Sequence, residues 1–164
     1  MNFLDLCQRL VQETGIADDG PATVAGQTGD MGRIVNWTND AWLKIQSIRE
    51  DWNWAWSTGS STLNAASNTI TLPSTVETVK RVSVGQGFLQ YENYNDFADA
   101  YRVISDGAPS VWSIRPDGVL VFNTKPSENL TVTYESYAVP AKLVATTDAP
   151  ALPERYHMLI VYEA

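Results

Sequence analysis

The sequence predicts an α+β chain: a small helical module from the N- and C-terminal helices, with an inserted antiparallel β lobe carrying one short helix. Three observations predict it. Apolar residues recur at steps of three and four through the first third of the chain. From Ser57 the composition turns to Ser, Thr, Gly, Val and Asn, in short alternating runs separated by turn residues. Helical spacing then returns after Pro153. The expected boundaries are 1–56 and 150–164 for the helical module and 57–149 for the β lobe, together a single domain. At 164 residues the chain is long enough to bury a core without disulfides.

The first helix spans Asn2 to Thr14. Phe3, Leu6, Cys7, Leu10 and Val11 share a face, Asn2 caps it and Gly15 ends it. Ile16 to Gly32 has four glycines, a proline and three aspartates, which predicts a long loop. Long loops in compact domains are commonly functional, so this one is a candidate contact arm. The second helix begins at Arg33 and ends near Asp51–Asn53. The stretch RIVNWTNDAWLKIQSIREDWNWAW, residues 33–56, contains five of the six tryptophans. Ile34, Thr38, Ala41, Ile45, Ile48 and Trp52 form the apolar stripe; Trp37, Trp42 and Trp56 fall off it. A helix with aromatics beyond its stripe has a second surface to cover, against its own sheet alone or against a neighbouring subunit as well.

Trp54-Ala55-Trp56 reads as extended. Thr62–Ala65 and Thr69–Leu72 flank Ala66-Ser67-Asn68 as a hairpin, with Pro73 ending the second strand. Val76–Val84 is a strand, Gly85–Gly87 a turn and Phe88–Tyr91 a short strand. Tyr94, Phe97, Tyr101 and Ile104 have helical spacing, with Asn95 as cap. Ser110–Ile114 and Val119–Thr124 make the clearest hairpin, turning on Arg115-Pro116-Asp117-Gly118. In Leu130–Tyr137 apolar and polar residues alternate, as in a half-buried antiparallel strand. Val144–Ala151 is a polar linker, and Pro153 opens a last helix carrying Tyr156, Leu159 and Ile160. That helix has no stop signal by Ala164, so continuation of the natural protein past this point is expected.

Net charge is −8, with no basic run. This argues against a nucleic-acid reader, whose affinity comes from Lys and Arg on phosphates. It is compatible with an acidic lumen that repels DNA and lets it slide. Cys7 is the only cysteine, which excludes an intrachain disulfide and suits a small buried hydrophobe. No secretory leader or membrane-span pattern is read, so the glycosylation triplets at Asn36 and Asn129 carry no weight and cytosolic synthesis is expected.

His157 is the only histidine and is expected at a surface or interface. With Cys7 far away in a core stripe and no Gly-x-Ser-x-Gly elbow, no nucleophilic triad is indicated. Two His/Cys residues are too few for zinc. Asp18, Asp19 and Asp30 share a loop, but their spacing is not a calcium loop and no closing Glu follows. The glycine-rich loop lacks the Gly-Lys-Ser/Thr ending of a phosphate loop. No catalytic residue, metal or cofactor is expected. Two other readings stay open: a carbohydrate-binding module using exposed aromatics, and a small hydrolase using acidic residues in a concave pocket.

Several segments together carry a resemblance. They are LCQRLVQETG, the long Gly/Asp loop, VNWTNDAWLKIQ leading to DWNWAW, the strand end ITLP, GAPSVWSIRPDGVLVFNTKP, LTVTYESYAVP with AKL, and LPERYHMLIVYEA. In this order and spacing the chain resembles the head–tail adaptor, or connector, proteins of tailed bacteriophages and gene-transfer particles. The resemblance covers nearly the whole chain. It implies a non-enzymatic virion protein at the head–tail junction, made in the host cytoplasm. It implies a homo-oligomeric ring, dodecameric in such families, bound beneath the portal protein. That ring would extend the channel for double-stranded DNA without reading its sequence, and offer a platform to the tail or its terminator, with no membrane partner. Subunit or portal contacts are then expected at Trp37, Trp42, Trp54 and Trp56, since aromatics dominate such interfaces. Asp19, Val24 and Met31 in the loop, and Tyr156 and Leu159 on the last helix, join them. The hairpin tip at Pro116 and Asp117 is expected to face the tail.

Overall fold

The computed structural model describes residues 1–16 and 19–164. The architecture is α+β. The helices are α1 (Phe3–Thr14), α2 (Gly29–Ser47), α3 (Tyr94–Ala100) and α4 (Met158–Glu163). The strands are β1 (Trp56–Leu63), β2 (Thr69–Thr71), β3 (Val76–Val84), β4 (Gly87–Phe88), β5 (Gln90–Tyr91), β6 (Ser105–Asp106), β7 (Val111–Ile114), β8 (Val119–Phe122), β9 (Thr124–Lys125) and β10 (Leu130–Ala138). Two compact units emerge: Met1–Ala55 with Pro140–Ala164, and Trp56–Val139.

In the first unit, α1 begins on a capping box. The Asp5 amide donates to Asn2 Oδ1 and the Asn2 amide to Asp5 Oδ2, both at 2.9 Å. It ends on Gly15, whose φ of 70° is the left-handed geometry a C-terminal glycine supplies. Its apolar face packs with Ile34, Ala41, Trp42 and Ile45 of α2 and with Ile160 and Val161 of α4. Cys7 donates from Sγ to Thr38 Oγ1, and burial pushes its thiol up from the ordinary value, opposed by that bond.

The segment 140–149, expected with the β lobe, belongs instead to the helical unit. Two amide side chains on α2 hold it. Buried Asn39 donates from Nδ2 to the Leu143 carbonyl (3.0 Å) and accepts from the Leu143 amide at Oδ1 (2.9 Å). Gln46, two turns on, does the same to Ala141 at 3.0 and 3.1 Å. Residues 141 and 143 point the same way on an extended chain, and 39 and 46 share a helix face, so the periods match. Leu143 thereby enters the core. The chain then turns back to cap α1: the Phe3 amide donates to the Asp148 carbonyl (2.7 Å) and the Leu4 amide to that of Thr146 (3.3 Å).

The second unit layers two four-stranded sheets, β1-β10-β3-β4 and β2-β8-β7-β5, around Leu63, Ile70, Val79, Val82, Trp112, Leu120, Phe122, Val132 and Tyr134. The other face of β7–β8 presents Val111 and Val121 to Phe97 of α3. Gly59 lies opposite Tyr134, and a Cβ there would sit 2.5 Å from the tyrosine ring, so the close approach requires glycine.

Several expectations change. The lobe is mixed rather than wholly antiparallel, since β5 pairs with β7 and β6 with β9 in parallel. Thr62–Ala65 and Thr69–Leu72 do not form a hairpin: β1 pairs with β10, and β2 with β8 in the other sheet. Helix α2 starts at Gly29 and stops at Ser47, so Ile48 is exposed rather than on a buried stripe. Asn93, not Asn95, caps α3. A 3-10 turn occupies Asn53–Ala55 where extended chain was expected.

Candidate assembly surface

The outward face of α2 carries Arg33, Trp37, Asp40 and Lys44, at steps of three and four. Trp37 is 44% exposed. Lys44 forms an ion pair with Glu163 of α4. Leu159 lies one turn before Glu163 and Tyr162 beside it, both more than half exposed. The ion pair bridges the outward faces of α2 and α4, with Trp37 two turns away from it on one and Leu159 and Tyr162 beside it on the other. Tyr156 continues the row one turn earlier, with the Arg155 guanidinium 4.8 Å over its ring.

Other expected contact residues lie elsewhere. Trp42 is 3% exposed and Val24 is buried, both inside the core of the helical unit. This corrects the expectation that they meet a neighbour. Trp42 sits four residues beyond Thr38, so it shares the buried side of a helix covered by both α1 and α4. Val24 is drawn in where the loop folds onto α1, with Gln8 Nε2 donating to the Pro21 carbonyl at 3.1 Å. Residues 21–28 are thus less free than a contact arm would be. Asp19 is exposed and Met31 half-buried against the core; Asp18 lies outside the described residues. Trp54 is half-buried and stacks on Trp52 at 4.1 Å. Trp56 opens β1, 48% exposed and opposite Tyr137. Pro116 and Asp117 are exposed at the β7–β8 tip, where Asp117 pairs with Arg115 at 2.7 Å.

His157 corrects another expectation: it is buried, with Nε2 donating to the Leu152 carbonyl at 2.7 Å, and it holds the turn before α4. Among the described residues no group of three or more His, Cys, Asp or Glu is placed to hold a metal, and no helix is long and apolar enough to cross a membrane. A groove of about 350 Å³ beside α3 is lined by Tyr94, Tyr101, Arg102 and Arg115, but both arginines are paired, with Asp99 and Asp117. Asp148 is held below the usual carboxylate range by the amides of Val144 and then Ala145, in service of a turn rather than a groove.

Residues 1–164 match the family model described as SU10 adaptor protein. The chain belongs to that family. No curated protein matches it. As an SU10 adaptor it is a structural protein of a bacteriophage particle, associating with other virion proteins. Exposed apolar residues of the adaptor that the sequence reading missed include Tyr162, Ile48 and Val144. Tyr162 was legible, three residues after Leu159; the other two depend on where α2 stops and where the 140–149 segment packs.

Proposed function

We propose that this adaptor forms a homo-oligomeric ring beneath the portal protein, extends the DNA channel and joins the capsid to the tail. The observation that carries the reading is the exposed Trp37–Lys44–Glu163–Leu159–Tyr162 surface on a chain of this family. Large apolar side chains standing in water on the outward faces of two adjoining helices suit a partner surface. Trp37, Tyr156 and Leu159 form subunit or portal contacts, as do Trp54, Trp56, Asp19 and Met31. The Pro116–Asp117 tip faces the tail. The net charge of −8 suits a channel that DNA slides through rather than grips.

Light scattering of the protein alone and with its cognate portal, followed by negative-stain imaging, tests this. A ring in either condition is expected. A strict monomer that ignores the portal overturns it. The carbohydrate-binding alternative calls for an aromatic strip along a sheet face; Trp56 and Tyr137 form a single cross-strand pair among Ser and Thr.

A further inference from the structure

We propose that neighbouring copies join edge to edge: the free edge of β1 pairs, in parallel, with the free half of β3 in the next copy. The sheet β1-β10-β3-β4 then runs on from copy to copy. This rests on the ring reading above and names the contact that would build it.

The sheet has two open edges. β1 pairs with β10 along its whole length, and its other side bonds no backbone group among the described residues. On the far side, β4 and the Leu89 amide cover β3 from Val82 to Val84, leaving the outer side of Glu77–Arg81 open; this shorter edge carries Glu77, Lys80 and Arg81 and lies where the register with β10 is twice broken. Natural sheets guard long edges with charges, prolines or bulges, because a row of free amides and carbonyls captures other strands. β1 reads WSTGSSTL, with neither charge nor proline, and its register with β10 is unbroken from Trp56↔Tyr137 to Leu63↔Leu130. An eight-residue edge this unguarded is built to be paired.

Strand direction selects the occupant. β1 and β3 are both antiparallel to β10, so they point the same way. A rotation about an axis along the strands brings β1 of one copy beside β3 of the next, in parallel. That one contact, repeated, covers both edges and closes a ring. A two-fold pairing of β1 with β1 would leave the β3 edge open. On the outward face Glu135 lies between Thr58 of β1 and Arg81 of its own β3, so its charge is already faced within the copy and strand direction is what selects the neighbour. Because β4 occupies the far end of the β3 edge, strands stagger from copy to copy, as they do when a sheet closes.

Two single-cysteine variants, Ser60→Cys and Thr78→Cys, are mixed under ring-forming conditions and treated with a short bismaleimide. Both positions lie on the outward face, and Cys7 is buried, so the wild type serves as the unreactive control. The expected result is a cross-linked pair in the mixture and in neither variant alone. A Ser60→Cys homodimer as the main product overturns the proposal in favour of a two-fold. The variant Thr58→Lys/Ser60→Lys keeps its far-UV spectrum and raises the concentration for half-assembly at least tenfold. Intact rings from that variant, or rings without the mixed cross-link, overturn the edge contact and leave the ring standing. A chain that stays monomeric with and without the portal overturns both.

Discussion

Replacing Asn39 by Ala tests how the helical unit is closed. Asn39 is 8% exposed, and its amide makes the paired bonds to the Leu143 backbone at 2.9 and 3.0 Å. Truncation leaves a buried amide and a buried carbonyl without partners. Each orphaned group costs roughly 1–3 kcal/mol, so the pair amounts to about 2–6 kcal/mol. Small domains have only about 5–15 kcal/mol in hand, so the loss is large. It corresponds to a fall in melting temperature on the order of 10 °C. Gln46 supplies the internal control. It makes the same pair of bonds to Ala141 at an exposed site, where water can replace them, so Gln46→Ala costs about 0.5 kcal/mol or less. Urea unfolding followed by far-UV circular dichroism gives both values. If Asn39→Ala lies within 0.5 kcal/mol of wild type, or costs no more than Gln46→Ala, the buried clamp is not what holds the segment.

Three further outcomes follow from local geometry. Gly59→Val destabilises by about 1–3 kcal/mol, because the new side chain meets the Tyr134 ring, and the loss is read in the same urea titration. Ala66 sits at φ 59°, so Ala66→Gly stabilises by roughly 0.5–1 kcal/mol. A melting temperature unchanged or lowered by that substitution would contradict it. Asp148 has a lowered folded-state pKa; its contribution is present above the ordinary value of 3.8 and is lost as pH falls below it, through the folded value. Asp148→Ala is therefore less stable than wild type at neutral pH, and the gap narrows as unfolding is repeated at successively lower pH below about 3.8; a constant gap would show that the carboxylate's charge plays no part.

Local signals made parts of this fold legible. Asn2, the Phe3–Val11 face and Gly15 specify α1 almost to the residue, because cap, stripe and stop all lie within it. The β7–β8 hairpin and the alternation of β10 were equally readable. What escaped were pairings between distant segments. The alternation at 62–72 announces strands but not their partners, and the two strands went to different sheets. Asn39 and Gln46 look like ordinary polar helix residues. Nothing local says that their amides will serve as edge partners for residues about a hundred positions on. The tryptophan cluster was half legible: its density marked an important helix. Which of Trp37 and Trp42 faces solvent depended on α1 and α4 covering two sides of α2.

The division of the chain also sets the order in which it can fold during synthesis. Chains emerging from the ribosome usually consolidate from the N-terminus, at about 5–20 residues per second. Here α1 and α2 emerge first, but Leu143, Leu152, Ile160 and Val161, which complete their core, are made last. The unit Trp56–Val139 is finished before any of them. Its first and last strands are paired neighbours, so it can close on itself while the earlier helices wait. For on the order of ten seconds, the nascent helical unit presents the apolar faces of α1 and α2 without their final partners. Of the two units, the first to be started is the last to be sealed, and that interval is where a chaperone has something to hold.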